Sequence, residues 1–298
     1  MSKNSKVYEI LNYFPIRITY FLFYLQMMEI LQFRDGTQFE GTIVNGLREG
    51  FAKWTSDHGY YEGVYQNNVL EGHGSFTNEE QEYVGDFQGG KFHGNGTVRY
   101  SSGNTYTGQW ENGTFHGIGT YRHFSGFEYK GSFQHGMFCG VGTFVYSNGD
   151  RYEGEFQDDM FHGKGTLFYL DGRQYKGDFW KDRYHGVGTY TDTNGTVYHG
   201  DFVQDFFDGH GTLEENKNKY VGSFRFGQFS GKGVFTYEDG REYDGFWKHG
   251  MKHGHGQYTW CDGTVYIGTW KDGKRHGKGT KKKGHRVENK MYRYGKSI

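Results

Sequence analysis

The chain repeats itself every 22 or 23 residues, and that period constrains its fold more than any other feature of it. The run YEGEFQDDMFHGKGTLFYLDGRQ begins at Tyr152 and returns at Tyr175 as YKGDFWKDRYHGVGTYTDTNGTV. Followed in both directions, units start at Phe39, Tyr61, Tyr83, Tyr106, Tyr129, Tyr152, Tyr175, Tyr198, Tyr220, Tyr243 and Tyr266. Glycine stands two places after the start in all eleven, from Gly41 to Gly268, and eleven places after it in all eleven, from Gly50 to Gly277. Thirteen places after, only Ala52 departs from glycine, and the fifth position is aromatic in every unit except that of Ile43. Four columns held in register over eleven units exclude coincidence.

Within a unit the residues alternate. Tyr152, Gly154 and Phe156 share one face of an extended segment, and Glu153 and Glu155 point to the other, which is the period of a β-strand. A second strand is predicted near Phe161 to Phe168, with Gly163 and Gly165 leaving a groove for a neighbouring ring. Turn residues separate the two strands: Asp159 here, Gly113 and Asn68 elsewhere. Pairs such as Asn148-Gly149, Asp171-Gly172 and Asp239-Gly240 separate one unit from the next. The units beginning at Tyr61 and Tyr198 lack this glycine and are 22 residues long, so a shorter connection is expected there. Composition agrees: 51 glycines with 20% aromatics and a single proline exclude collagen and a flexible linker, and suggest rings lying on bare backbone.

These columns resemble the MORN repeat family, whose unit reads approximately YEGEWxxGxxHGxGxxxxxDG. The resemblance covers residues 39–280, about four-fifths of the chain. It implies an all-β fold, an elongated single-layer twisted antiparallel sheet of about eleven hairpins, and no catalysis by the repeats. Each unit then touches mainly its neighbours, and the two ends need caps.

Two segments flank the array. Residues 1–38 form an apolar N-terminal extension or cap, with room for a short helix. The stretch Ile10–Met28 is mostly apolar but interrupted by Pro15 and Arg17, and its uncharged part is short for a span of about 20 residues. A membrane anchor or signal sequence, a capping helix, and an untranslated extension with the true start at Met27 or Met28 are the alternatives. Residues 281–298 form a basic tail. Its Lys281, Lys282 and Lys283 either blunt an exposed edge strand or meet an anionic membrane surface.

No chemistry stands apart from the period. The recurring histidines (His93, His116, His162, His185, His253, His276) belong to successive hairpins, so equivalent atoms lie ~9–10 Å apart, too far to share one zinc ion with ligands at ~2 Å. His-Gly-x-Gly is followed by a strand rather than by the helix a phosphate loop needs. Cys139 and Cys261 have neither metal nor disulfide spacing, which fits a reduced compartment. No cofactor, metal or catalytic residue is expected, and a net charge of −1 gives no pull toward nucleic acid.

One stripe departs from the family pattern. The tenth position of the unit, often basic in the family, is here Leu70, Phe92, Phe115, Phe138, Phe161, Tyr184, Phe207 and Phe229, and then Lys252 and Arg275. The rings either pack on their own sheet or form an exposed ladder that marks a partner surface. If they served only as filler, Lys252 and Arg275 should be awkward in the same geometry. The resemblance points to two functional classes. One is a cytoplasmic scaffold for protein partners, axonemal or cytoskeletal, like the radial-spoke head. The other is a membrane or phosphoinositide tether, or a regulator that accompanies a lipid kinase. An almost pure array favours the first, with Phe92, Phe115, Phe138, Phe161, Tyr184, Phe207 and Phe229 as the partner-binding residues. Oligomeric state is not legible.

Overall fold

A computed structural model describes residues 28–298, and these contain strands and turns but no helix. The short N-terminal helix and nearly all of the stretch Ile10–Met28 fall outside the described residues. The chain divides into two compact units, one ending at Met137 and one running from Phe138 to Ile298.

In the first unit ten strands follow one another from Met28–Gln32 to Glu128–Gln134. Within this unit each strand pairs antiparallel with the one that follows it in the chain. In the second, fifteen strands do the same from Met137–Val145 to Lys296–Ser297. Both units are therefore open meanders, and neither closes into a barrel.

The hairpin read from Tyr152 is present as expected: Arg151–Gln157 pairs with Met160–Phe168, with Tyr152 opposite Leu167 and Phe156 opposite Phe161. Its tip is a two-residue turn in which Asp158 and Asp159 both have positive φ, 51° and 65°. That geometry matches strand twist and favours Asn, Asp and Gly. Between units a longer loop closes with Tyr169 N–H donating to Arg173 O at 2.9 Å and Gly172 N–H donating to Tyr169 O at 3.0 Å. The 22-residue unit at Tyr198 replaces that loop with a two-residue turn, Asn216-Lys217, both at positive φ. The first unit, also 22 residues long, likewise closes with a short turn between Ser56 and Gly59.

The glycine columns have two different causes. Gly154, Gly165 and Gly177 lie opposite one another on successive strands, and the row continues in the same unit to Gly279. The other unit carries the same row from Ala52 through Gly63 to Gly131. A Cβ on Gly165 would meet the ring and Oη of Tyr152, which is the groove expected from the sequence. Gly163 does not line that groove. It sits at φ +57 where the register shifts after Gly154, and a Cβ there would meet the carboxylate of Glu155. The column beginning at Gly50 thus serves a β-bulge, which inserts extra residues on one strand and favours a left-handed residue.

Two expectations about the ends need correction. Residues 281–298 are not a tail, because Lys274–Lys283 runs through them and pairs with Arg286–Arg293. Lys281, Lys282 and Lys283 therefore do not blunt an edge; their strand is paired on both sides. The charges fold in because Lys281 and Lys282 occupy positions opposite Tyr266 and Val265, where the backbone ladder extends whatever the side chain. At the other end Met28–Gln32 adds a strand ahead of the first unit.

Candidate functional site: the ring-bearing face

The tyrosine that opens each unit lies over the glycine row. Tyr83, Tyr106, Tyr129, Tyr152, Tyr175, Tyr198, Tyr220, Tyr243 and Tyr266 are buried on a sheet with no second layer, because glycine lets each ring settle onto backbone. The phenol also finds a fixed acceptor. Tyr152 Oη donates to Glu155 O at 2.9 Å, Tyr175 Oη to Asp178 O at 2.8 Å and Tyr198 Oη to Asp201 O at 2.9 Å. The accepting residue is the one at which the register shifts, so the hydroxyl satisfies a carbonyl that the bulge draws out of the ladder. Burial pushes the phenols of Tyr83, Tyr106, Tyr152, Tyr175, Tyr198, Tyr220 and Tyr243 well above the ordinary tyrosine range.

The tenth-position residue covers that tyrosine. Ring centroids are 3.8 Å apart for Tyr83 and Phe92, 3.9 Å for Tyr106 and Phe115, and 3.8 Å for Tyr152 and Phe161. They are 3.7 Å apart for Tyr175 and Tyr184, 3.7 Å for Tyr198 and Phe207, and 3.9 Å for Tyr220 and Phe229. Phe138 packs against Phe144 and Phe156. Each stack is flanked by the fifth-position rings of its own and the next unit, edge-on: Phe156 and Phe179 stand 5.1 and 4.9 Å from Tyr152. Edge-to-face rings contribute ~0.5–1.5 kcal/mol per pair beyond their buried area. Where the fifth position is tryptophan, its Nε1 donates to a glycine carbonyl of the preceding hairpin, as Trp110 does to Gly96 O at 3.2 Å.

The ladder is therefore packed on its sheet, and most of its rings keep part of their surface exposed. Phe92, Phe115, Phe138, Tyr184, Phe207 and Phe229 are half-buried. Phe161 is buried, with only 6% of its surface left, under Phe144 and Tyr146. Cations nevertheless occupy this position, set among rings. Lys252 Nζ lies 4.4 Å from the ring centroid of Tyr258, 5.2 Å from Tyr243 and 5.4 Å from Trp270. The Arg275 guanidinium lies 5.6 Å from Tyr266 and 4.6 Å from Tyr292. Arg48, at the same position of the first unit, lies 4.6 Å from Trp54. The tyrosine's π-face can receive a cation in place of a ring. Burial, and then Arg241, push the Lys252 amine down to about 8.

The three lysines named above do not act together. Lys281 and Lys283 share the face of Tyr266, and Lys282 lies on the opposite one. Lys283 pairs with Asp262 at 2.7 Å. On the ring-bearing side Lys281 and Lys283 are joined instead by Arg286 and Lys290, which flank Glu288 at 2.7 Å each.

The far face carries a device that alternation alone does not reveal. Glu155, read as solvent-facing, accepts the bulge N–H of Lys164 at 2.9 Å. Asp178 does the same for Val187 at 2.9 Å, Asp86 for Asn95 at 3.0 Å and Gln109 for Ile118 at 2.8 Å. The acidic or amide residue in the fourth column was the available signal. Of the histidine column, His162 packs its ring 4.6 Å from Trp180, His116 Nδ1 lies 3.2 Å from Glu111 Oε2, and His93 Nδ1 is enclosed without a hydrogen bond. Among the described residues no group of His, Cys, Asp and Glu could hold a metal ion, and no helix is long and apolar enough to cross a membrane.

Fold and face together define a repeat scaffold of stacked hairpins, of the kind that binds proteins or membrane lipids. The MORN repeat model matches eleven segments between residues 39 and 284, from 39–57 to 266–284, and the chain belongs to the MORN-repeat family. No curated protein matches it. Among solved structures, the SAS-4 (dCPAP) TCP domain of Drosophila melanogaster, in complex with a proline-rich motif of Ana2, is similar at 15% identity and a TM-score of 0.34. That match covers 52% of this chain and 85% of the other. The TCP10 domain of Danio rerio CPAP, in complex with a peptide of STIL, is similar at 11% identity and a TM-score of 0.21, covering 83% and 94%.

Proposed function

We propose that this chain is a non-enzymatic scaffold that binds partner proteins along its ring-bearing face, as a structural component of the ciliary axoneme or the cytoskeleton, and that it works in the cytoplasm or the cilium. The observation that carries this reading is the ladder itself. Phe92 and Phe115 in one unit, and Tyr184, Phe207 and Phe229 in the other, each rest one face on a tyrosine and keep part of their surface exposed. Rings already fixed by stacking lose little entropy when a partner covers them, and aromatic anchors dominate many interfaces.

A second reading is an anionic-membrane tether, or a regulator that accompanies a lipid kinase. It rests on Lys281, Lys283, Arg286 and Lys290 gathered on one face of two paired strands.

Two variants of the full chain separate these readings. One changes Phe92, Phe115 and Phe207 to lysine, a residue this position already accommodates at Lys252. The other changes Lys281, Lys282 and Lys283 to glutamate. Tagged chains are expressed in a ciliated cell, and purified chains are mixed with vesicles containing phosphatidylserine. The scaffold reading expects the lysine variant to leave the axonemal or cytoskeletal fraction and the glutamate variant to stay. Wild-type vesicle binding that the glutamate change abolishes, with targeting lost alongside, transfers the function to the membrane.

A further inference from the structure

We propose that the hairpin edge around Phe226 is a docking site for an acidic peptide segment of a partner protein, one that carries an aromatic or large aliphatic anchor. The site goes beyond the ladder reading and does not depend on it, sharing only Phe229 with it.

The first observation is a residue out of place. The leading turn position is Asn45, Asn67, Gly89, Asn112, His135, Asp158, Lys181, Gln204, His249 or Asp272 in the other repeat hairpins, polar or glycine and all at positive φ, and Tyr294 takes it in the turn after the last repeat. In the hairpin of Tyr220 it is Phe226, at φ 49. A bulky aromatic in the left-handed region is an outlier, and strain of this kind persists where something other than local stability favours it. The ring gains no burial in exchange, since 66% of its surface is exposed.

The second observation is its company. Phe206, on the preceding hairpin, meets Phe226 edge-on at 6.1 Å and is itself 51% exposed. Val203 on that hairpin and Trp180 on the one before it are exposed as well. Three successive hairpins thus present apolar side chains along one edge, where the hairpin of Tyr152 presents Gln157, Asp158 and Asp159.

The third is a cleft. Beside Phe226 the surface opens into a space of about 590 Å³ bounded by Phe226, Phe229, Ser230, His249, Arg225 and Lys248. Phe229 supplies an aromatic wall. Arg225 and Lys248 form no ion pair among the described residues, whereas Arg183 at the tip of an earlier hairpin pairs with Asp205, and the Arg225 guanidinium lies 5.8 Å from the centroid of the Phe226 ring. Two unpaired cations beside aromatic walls match a ligand with carboxylates next to an apolar side chain, which buries in the cleft while the acids meet the rim. An anionic membrane fits less well. The site is concave, whereas a bilayer presents a broad surface, and the nearby Asp208 carboxylate is engaged in the turn, accepting the Phe226 N–H at 3.1 Å.

The test pans random twelve-residue peptides displayed on phage against the full chain, then measures synthetic copies of the selected peptides by fluorescence anisotropy. Phe226→Asn is the main variant. Asparagine tolerates positive φ, so this variant keeps its fold and melts no lower than wild type. An Arg225→Gln/Lys248→Gln double variant removes the rim charges, and Phe115→Lys serves as the ladder control. The expected result is selection of peptides with acidic residues beside an aromatic or large aliphatic one. Their affinity falls at least tenfold in Phe226→Asn and in the double variant and is unchanged in Phe115→Lys. Failure to select any peptide, selection of basic peptides, or equal binding by Phe226→Asn overturns the proposal. So does binding to phosphatidylserine vesicles that Phe226→Asn abolishes while no peptide is selected, which assigns the edge to a membrane. Loss of binding in Phe115→Lys alone moves the peptide to the ladder and also overturns it.

Discussion

The ring of Phe161 lies on the ring of Tyr152 with centroids 3.8 Å apart and planes 8° from parallel. Beneath that pair lie Gly154 and Gly165, and on either side Phe156 and Phe179 stand edge-on. This cluster substitutes for the second layer that most sheets need, because it buries aromatic surface against bare backbone.

Glycine substitutions should rank by cause. Gly165→Ala places a methyl group 2.5 Å from Cε2 of a buried ring that cannot withdraw, and should lower stability by roughly 2–4 kcal/mol. Gly163→Ala meets only the movable carboxylate of Glu155 and a strained φ, and should lose ~1 kcal/mol. Gly163→Asn should lose less than Gly163→Ala, since asparagine tolerates the left-handed region. Urea unfolding measures all three; equal losses at Gly163 and Gly165 would show that the two columns do the same work.

Removal of one hydroxyl should be felt. Tyr152→Phe keeps the stack but leaves Glu155 O without its donor, and should lower stability by about 1 kcal/mol. Calorimetry on the two chains, with the crystal structure of the variant to confirm that the ring stays in place, checks this. An unchanged melting temperature would mean that water satisfies the carbonyl as well as the phenol does.

The fourth-column acid should matter more than its exposed neighbour. Glu155→Ala strands the bulge N–H of Lys164 and should lose ~1 kcal/mol, whereas Glu153→Gln should change little. Hydrogen exchange at Lys164 should accelerate in the first variant only.

Stability should fall steeply in alkali. The stacked tyrosines titrate well above their unfolded value of ~10, so their contribution is fully present below pH ~10 and is lost as pH rises through the folded values. Lys252 acts in the opposite sense. Its amine titrates at about 8 when folded, below its unfolded value of ~10.4, so the unfolded chain binds the extra proton and stability gains between these values. Wild type compared with Lys252→Met should show that gain over pH 8 to 10, and both should unfold readily above pH 11. A difference between the two that stays constant across pH 8 to 10 would mean the cation–π contacts outweigh burial and hold the amine at its ordinary value.

The sequence by itself determined the eleven repeat hairpins and the faces of their opening strands, though not the flanking strands Met28–Gln32, Arg286–Arg293 and Lys296–Ser297. Alternation from Tyr152 to Phe156 and the turn pairs leave no other element, because a strand's period of two and a positive-φ turn are local properties of the residues concerned. What only the tertiary structure decided is how one column serves another. Gly163 and Gly165 are two places apart and look alike in the sequence, yet one relieves a bulge and the other receives a ring, because the register shift after Gly154 lies between partners on different strands. The tenth position reads as a contradiction when Phe229 gives way to Lys252. It resolves only when both are seen above the same tyrosine π-face, a contact that depends on where the bulge and the glycine row place that ring. Local sequence sets which way a side chain points; what it meets there is set by the strand next door.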